Sequence, residues 1–225
     1  MIRRGAQNRT TNMKIEHILP SDIEKKSFEI IRKELAELGK TVDPEVEPTL
    51  VRVIHTTADF EYADTLMFSE NAVEIARQAI REGACIVTDT NMALSGINKK
   101  SLAKFGGEVF CFMADEEVAK EAQDRKVTRA YVSMEKAAGL GKKLIFAVGN
   151  APTALIKLKE LMDEGYKPEL IIGVPVGFVN VVEAKELIID SDVPYIVNRG
   201  RKGGSNVAAA VVNSILYSID AGRGK

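Results

Sequence analysis

Cysteine and histidine are scarce in this chain: each occurs twice in 225 residues. Cys85 in GACIVTD and Cys111 in EVFCFMAD lie inside short apolar runs, away from histidine or acidic clusters with metal-ligand spacing. That placement argues against a disulfide framework and against a metal site, and it predicts buried free thiols. Excess charge is missing too, with 31 basic against 32 acidic residues. No global field exists to draw in DNA or an anionic membrane, so no nucleic-acid partner is expected and an anionic ligand must be met locally. No apolar run approaches the roughly 20 residues that span a bilayer, and the N-terminus lacks the apolar core of a secretory signal. The expectation is a cytoplasmic protein with no membrane partner.

Several catalytic signatures are absent as well. No glycine-x-glycine-x-x-glycine follows the first strand-like run and no lysine-bearing Walker loop occurs, which argues against nicotinamide, flavin and nucleoside triphosphate and leaves no cofactor expected. The turns that could form a nucleophile elbow carry Asn150 or Gly177 where a serine or cysteine is needed. Internal repeats, low-complexity segments and long linkers are also lacking.

Residues 1–12, MIRRGAQNRTTN, are polar and aperiodic, with Arg3, Arg4 and Arg9, and Met13 offers an alternative start. They read as a disordered leader or a misplaced start, and less readily as a transit peptide. Residues 13–225 then read as a single domain.

What the chain does have is alternation. Runs dense in β-branched and apolar residues occur at 84–89 (ACIVTD), 108–113 (EVFCFM), 143–150 (KLIFAVGN), 170–176 (LIIGVPV) and 194–198 (PYIVN). They predict strands buried on both faces. Between them lie stretches with helical spacing, such as 151–165, where Leu155, Leu158, Leu161 and Met162 recur at steps of three and four. Strand followed by helix followed by strand predicts a doubly wound three-layer α/β unit, flavodoxin-like or Rossmann-like, on a mostly parallel five-stranded sheet. Two N-terminal helices precede it. Ser21 and Glu24 form a capping pattern ahead of Ile23, Phe28, Ile31, Leu35 and Leu38, and Gly39 ends that run. Asp43 and Pro44 open the second helix, whose Val46, Leu50, Val51 and Ile54 lead to His55 in the last turn.

Ligands of open parallel sheets bind outside the carboxyl ends of the strands, where helix N-termini aim their amides at the crevice. The tips here are 88–96 (TDTNMALSG), 113–115 (MAD), 149–155 (GNAPTAL), 175–180 (PVGFVN) and 198–206 (NRGRKGGSN). In the last, Arg199 and Arg201 precede Gly203, Gly204 and Ser205. This is either a carboxylate or phosphate receptor or a basic loop with a glycine turn and a serine cap. Asn150 can bind a ligand or cap the helix that Pro152 begins. Arg129 sits near a helix start, where its charge opposes the dipole; it either meets an external anion or points into solvent.

His55 admits two readings of its own. A helix C-terminus favours a positive charge, which alone accounts for a histidine there. Histidine is also the natural proton donor or acceptor near neutral pH, with an ordinary pKa of about 6.5. His17 lies in the loosely structured approach to the first helix and has no such setting.

Taken together, SFEIIRKE, RVIHTTADFEYA, TDTNMALSGI, VTRAYVSM, GNAPTAL, GVPVGFVN and RGRKGGSN resemble the precorrin-8X methylmutase family, including its cobalt-precorrin-8 branch, in order over residues 15–217. The resemblance implies a homodimeric isomerase of corrin (cobalamin) biosynthesis. Such an enzyme moves a methyl group from C-11 to C-12 of a carboxylate-rich tetrapyrrole without an external donor, giving hydrogenobyrinate or cobyrinate, and then hands over to neighbouring enzymes of the pathway. It places the acid catalyst on His55 and substrate contacts on Ser27 and Arg129. The strand tips add Asp89, Met92, Gly96, Asn150, Arg199 and Arg201 as substrate-binding candidates, and Thr56, next to His55, is a further one. With 6% aromatics and no tryptophan, ring binding would rest on aliphatic walls and on the substrate's carboxylates.

After the histidine this chain reads Thr56, Thr57, Ala58, Asp59, where the aerobic branch tends to have small residues or cysteine; the pattern looks more like the cobalt-first branch. If cobalt occupies the ring nitrogens, His55 must act at carbon or through a hydrogen bond. A non-catalytic tetrapyrrole carrier, or an anion-binding domain for a phosphorylated metabolite, would fit the residues less completely.

Overall fold

In the computed structural model, which describes residues 19–220, every predicted β-rich run contains a strand. These are β2 (Cys85–Thr88), β3 (Val109–Phe110), β4 (Leu144–Val148), β5 (Leu170–Gly173) and β6 (Tyr195–Asn198). A sixth strand among the described residues, β1 (Leu66–Phe68), was not foreseen: its three residues show no period, and it pairs antiparallel with β6 at the sheet edge. The order is β1-β6-β5-β4-β2-β3, with β2 to β6 mutually parallel. The five parallel strands therefore follow the flavodoxin-like 2-1-3-4-5 order, and the topological switch point falls between β2 and β4.

The strands read as continuous apolar runs because both of their faces are covered. Ile145 and Ala147 of β4 turn to one core, and Leu144, Phe146 and Val148 turn to the other. The first core is closed by helices α1 (Pro20–Glu37), α2 (Glu47–Thr57), α4 (Ala72–Arg81), α5 (Asn91–Gly96) and α11 (Ser205–Ile219). The second is closed by α8 (Arg129–Ala138), α9 (Pro152–Asp163) and α10 (Val181–Ile189). The short helices α3 (Tyr62–Thr65) and α6 (Lys99–Ala103) lie in connections, and α7 (Glu116–Arg125) packs on α8 through Val118, Ala122 and Val132.

Several local expectations need correction. Helix α1 starts at Pro20 with Leu19 at the N-cap, so position 21 is already helical and the capping pattern is not what starts it. Ile31 and Leu35 are buried as expected, but Ile23 and Leu38 are exposed at 50% and 57%. Gly39, at φ 69°, does end the run. Asp43 opens a turn rather than the helix: its side chain accepts from the Glu45 amide, its carbonyl accepts from Val46 and Glu47, and α2 begins at Glu47. Beyond Phe110 the run 108–113 leaves the sheet, so Cys111 is only half-buried while Cys85 is buried; both are free thiols. The leader at 1–12, Met13 and His17 lie outside the described residues.

Candidate functional site

The strand tips are stitched to one another before any ligand arrives. Asp89, just past β2, is 1% exposed, and its carboxylate accepts from the amides of Gly149 (2.8 Å), Asn150 (2.8 Å) and Ala151 (2.6 Å) beyond β4. Burial pushes this carboxyl up, while the three amide donors favour the anion. Asp89 thus closes the switch point from inside, with both oxygens engaged by the turn after β4. Thr90 Oγ1 and Ser205 Oγ, 2.7 Å apart, join the β2 tip to the start of α11. Ser205 is not a cap, since Gly204 holds that position.

The glycines allow this closeness. A Cβ on Gly203 would sit 2.0 Å from the Val174 carbonyl oxygen, and one on Gly149 would sit 2.7 Å from Ser205 Cα. Gly204 N donates to the Val174 carbonyl (2.8 Å) and Gly177 N to the Arg201 carbonyl (3.1 Å), so the loops after β5 and β6 form one ledge.

Helix α2 brings His55 to the same end of the molecule. Its buried face of Leu50, Val51, Val53 and Ile54 anchors it, and its last turn closes through Ala58 in the left-handed region (φ 52°), with Thr57 Oγ1 donating to the Val53 carbonyl at 2.8 Å. The segment that follows is tied to the β6–α11 loop, because Lys202 Nζ reaches Asp59 (2.5 Å) and Glu61 (2.7 Å). This pairing raises the Lys202 ammonium and lowers the Asp59 carboxyl.

The His55 ring is exposed, makes an edge contact with Phe28 at 5.3 Å between centroids, and hydrogen-bonds no other described residue. It lines a depression of about 340 Å³ with Ser27, Ile30, Ile31, Glu34, Ile54, Ala58 and Phe60. Ser27 Oγ is occupied, donating to the Ile23 carbonyl at 2.9 Å. A second depression, of about 260 Å³, adjoins the same helix end and is lined by Arg52, Thr56, Gly96, Asn206, Ala209, Ala210 and Asn213. Gly96 also accepts from Asn213 Nδ2 at 2.8 Å. Ser27 with His55, and Thr56 with Gly96, are therefore brought together. A further cavity of about 460 Å³ lies elsewhere: Pro168, Val193 and Pro194 in its wall precede β5 and β6, at the opposite end of the strands.

The remaining candidates stand along the rim without converging on His55. Met92 is 71% exposed on α5. Arg129 is the first residue of α8, exposed and without a partner among the described residues, and Thr128 beside it pairs with Thr153 of α9 at 2.7 Å. Asn150 is exposed and does not cap α9, whose N-cap is Ala151. The two arginines of the last tip part company: Arg199 pairs with Glu186 through Nε (3.2 Å) and Nη2 (3.3 Å), whereas Arg201 lies over the Phe178 ring at 5.4 Å with no acid among the described residues. The two guanidiniums therefore differ in setting, one in an exposed ion pair and one over an aromatic ring.

Sequence reasoning missed Arg52, held between Phe28 (5.1 Å) and Tyr217 (4.9 Å). It also missed Phe178, 81% exposed on the ledge, and Lys185, 0% exposed beneath it. A signal for Lys185 exists, since it takes a buried position in the set Val181, Ala184, Lys185, Ile188.

Fold and rim together define a doubly wound α/β protein whose ligand end is furnished with an exposed imidazole, two guanidiniums without an acidic partner among the described residues, and an apolar ledge, a class suited to an anionic ligand with apolar faces. A family model described as precorrin-8X methylmutase matches residues 22–218. The chain is 44% identical over 213 residues to the cobalt-precorrin-8 methylmutase of Priestia megaterium, covering 94% of each. It is 45% identical over 204 residues to that of Salmonella typhimurium, covering 89% of this chain and 96% of the relative. The crystal structure of precorrin-8x methyl mutase from Thermus thermophilus superposes with a TM-score of 0.80 at 39% identity, covering 87% of this chain and 96% of that one. The chain belongs to the precorrin-8X methylmutase family.

Proposed function

We propose that this chain is the isomerase that moves a methyl group from C-11 to C-12 of precorrin-8X or cobalt-precorrin-8, with His55 as the acid. Migration needs electron demand at the receiving carbon. A proton lent to the conjugated macrocycle supplies it, and the same proton returns to His55 once the methyl has moved with its bonding pair. The observation that carries this reading is the exposed His55 ring at the lip of a depression, with its nitrogens free of other described residues. Arg129 and Arg201 then hold carboxylate arms, while Ile30, Phe60 and Phe178 offer apolar surface to the ring. Both relatives named above act, by name, on cobalt-precorrin-8, and the Thr56–Asp59 segment supports the same branch. With cobalt on the ring nitrogens, His55 acts at carbon or through a hydrogen bond.

The family supports a tetrapyrrole as the substrate class, and among the described residues no helix is long and apolar enough to cross a membrane. We further propose residues 13–225 as one unit, a cytoplasmic setting, a homodimer, and hand-over of product to the next corrin-pathway enzyme. At about 340 and 260 Å³ each depression is small for a macrocycle, so substrate must extend beyond either one.

The test is to offer the purified protein both precursors and read the visible spectrum. Conversion to the hydrogenobyrinate or cobyrinate chromophore is expected. His55→Ala should bind pigment but convert it about 100- to 10,000-fold more slowly. Full turnover in that variant sinks the catalytic assignment, and stoichiometric binding with no spectral change in the wild type would identify a carrier instead.

A further inference from the structure

Lys185 occupies a core position on α10 and is 0% exposed. An ammonium there is costly unless its N–H groups are satisfied. Its Nζ donates to the carbonyls of Gly200 (2.7 Å) and Lys202 (2.8 Å), the residues on either side of Arg201. Asn198 Nδ2 donates to the same Lys202 carbonyl at 2.9 Å, and the Arg201 carbonyl takes the Gly177 amide at 3.1 Å. Three consecutive carbonyls, 200 to 202, are thereby engaged within the protein, and the Arg201 side chain stands exposed over Phe178.

That arrangement matters to an anion. Carbonyl oxygens carry partial negative charge, so a loop that presents them to a carboxylate repels what its arginine attracts. We propose that Lys185 is a positioning residue for substrate binding: by drawing the carbonyls flanking Arg201 inward, it holds the guanidinium out over the rim and keeps backbone oxygens away from the ligand's carboxylates. This rests on the reading of Arg201 as a carboxylate holder given above. Burial lowers the ammonium only to about 8, so it is charged at neutral pH.

Lys185→Met removes both donor and charge at similar volume, and Lys185→Gln keeps a donor without the charge. In steady-state assays on the full chain with cobalt-precorrin-8 and precorrin-8X, Lys185→Met should raise KM about tenfold and leave kcat within about twofold. Lys185→Gln should fall between it and the wild type. Adding Arg201→Ala to Lys185→Met should then cost nothing further, because both act on one contact. An unchanged KM in folded Lys185→Met overturns the proposal, as do effects that multiply with those of Arg201→Ala, or loss of the folded state in both lysine variants, which would mark a purely structural lysine. An unchanged KM in Arg201→Ala instead removes the reading of Arg201 on which the proposal stands.

Discussion

His55 and Asp89 show how burial separates residues that look alike in a string. Both follow apolar runs and both are polar groups at the ligand end of the molecule. His55 keeps its ring exposed at a lip, whereas Asp89 is enclosed and spends its oxygens on three amides. Period alone cannot separate these fates, since each depends on which loop lies opposite. Lys185 adds a titration that can be measured. Burial holds its ammonium at about 8 against an ordinary 10.5, so the folded state releases that proton more readily than the unfolded chain. Between those values the unfolded state binds more protons, and the lysine's contribution to stability rises with pH; its cost is fully present below about pH 8. Lys202, paired with Asp59, shifts the other way, so the readout is a difference between proteins. The melting temperature of Lys185→Met minus that of wild type should fall steadily from about pH 8 to about 10.5; a flat difference would mean that the lysine titrates as if exposed.

At the scale of elements, the ledge after β5 and β6 depends on backbones that touch. Gly203 has no room for a side chain, its Cβ position lying 2.0 Å from the Val174 carbonyl oxygen. Gly203→Ala must therefore part the two loops. The expected loss is about 1–3 kcal/mol in urea unfolding, together with weaker pigment binding because Arg201 shifts; an unchanged unfolding midpoint would show that the loops separate without cost. The five parallel strands were legible because strands buried on both faces are written as unbroken apolar runs. β1 was not, because its three residues are selected by the open edge of β6 rather than by a pattern of their own. The start of α2 was misplaced for a related reason: Asp43–Pro44 and Glu47–Pro48 both carry helix-opening chemistry, and the chain uses the first for a turn.

At the scale of the whole molecule, the surface carries large apolar side chains in the open. Met92, Phe178 and Val179 are exposed at 71%, 81% and 75%, and large apolar side chains gathered at a ligand end call for cover by a ligand or another subunit. Sedimentation equilibrium should return about twice the chain mass of 24.6 kDa, and a fully active monomer at micromolar concentration would refute the dimer. The sequence by itself determined the layered α/β plan, the helix end that carries His55 and the family, because periodicity and ordered motifs are properties of neighbouring residues. Only the tertiary structure decided that Asp89 is enclosed, that Arg199 pairs with Glu186 while Arg201 lies over Phe178, and that Lys185 underlies the loop. Each of those outcomes depends on which distant backbone or charge comes within about 3 Å, the range over which a hydrogen bond forms, and chain order alone does not encode that proximity.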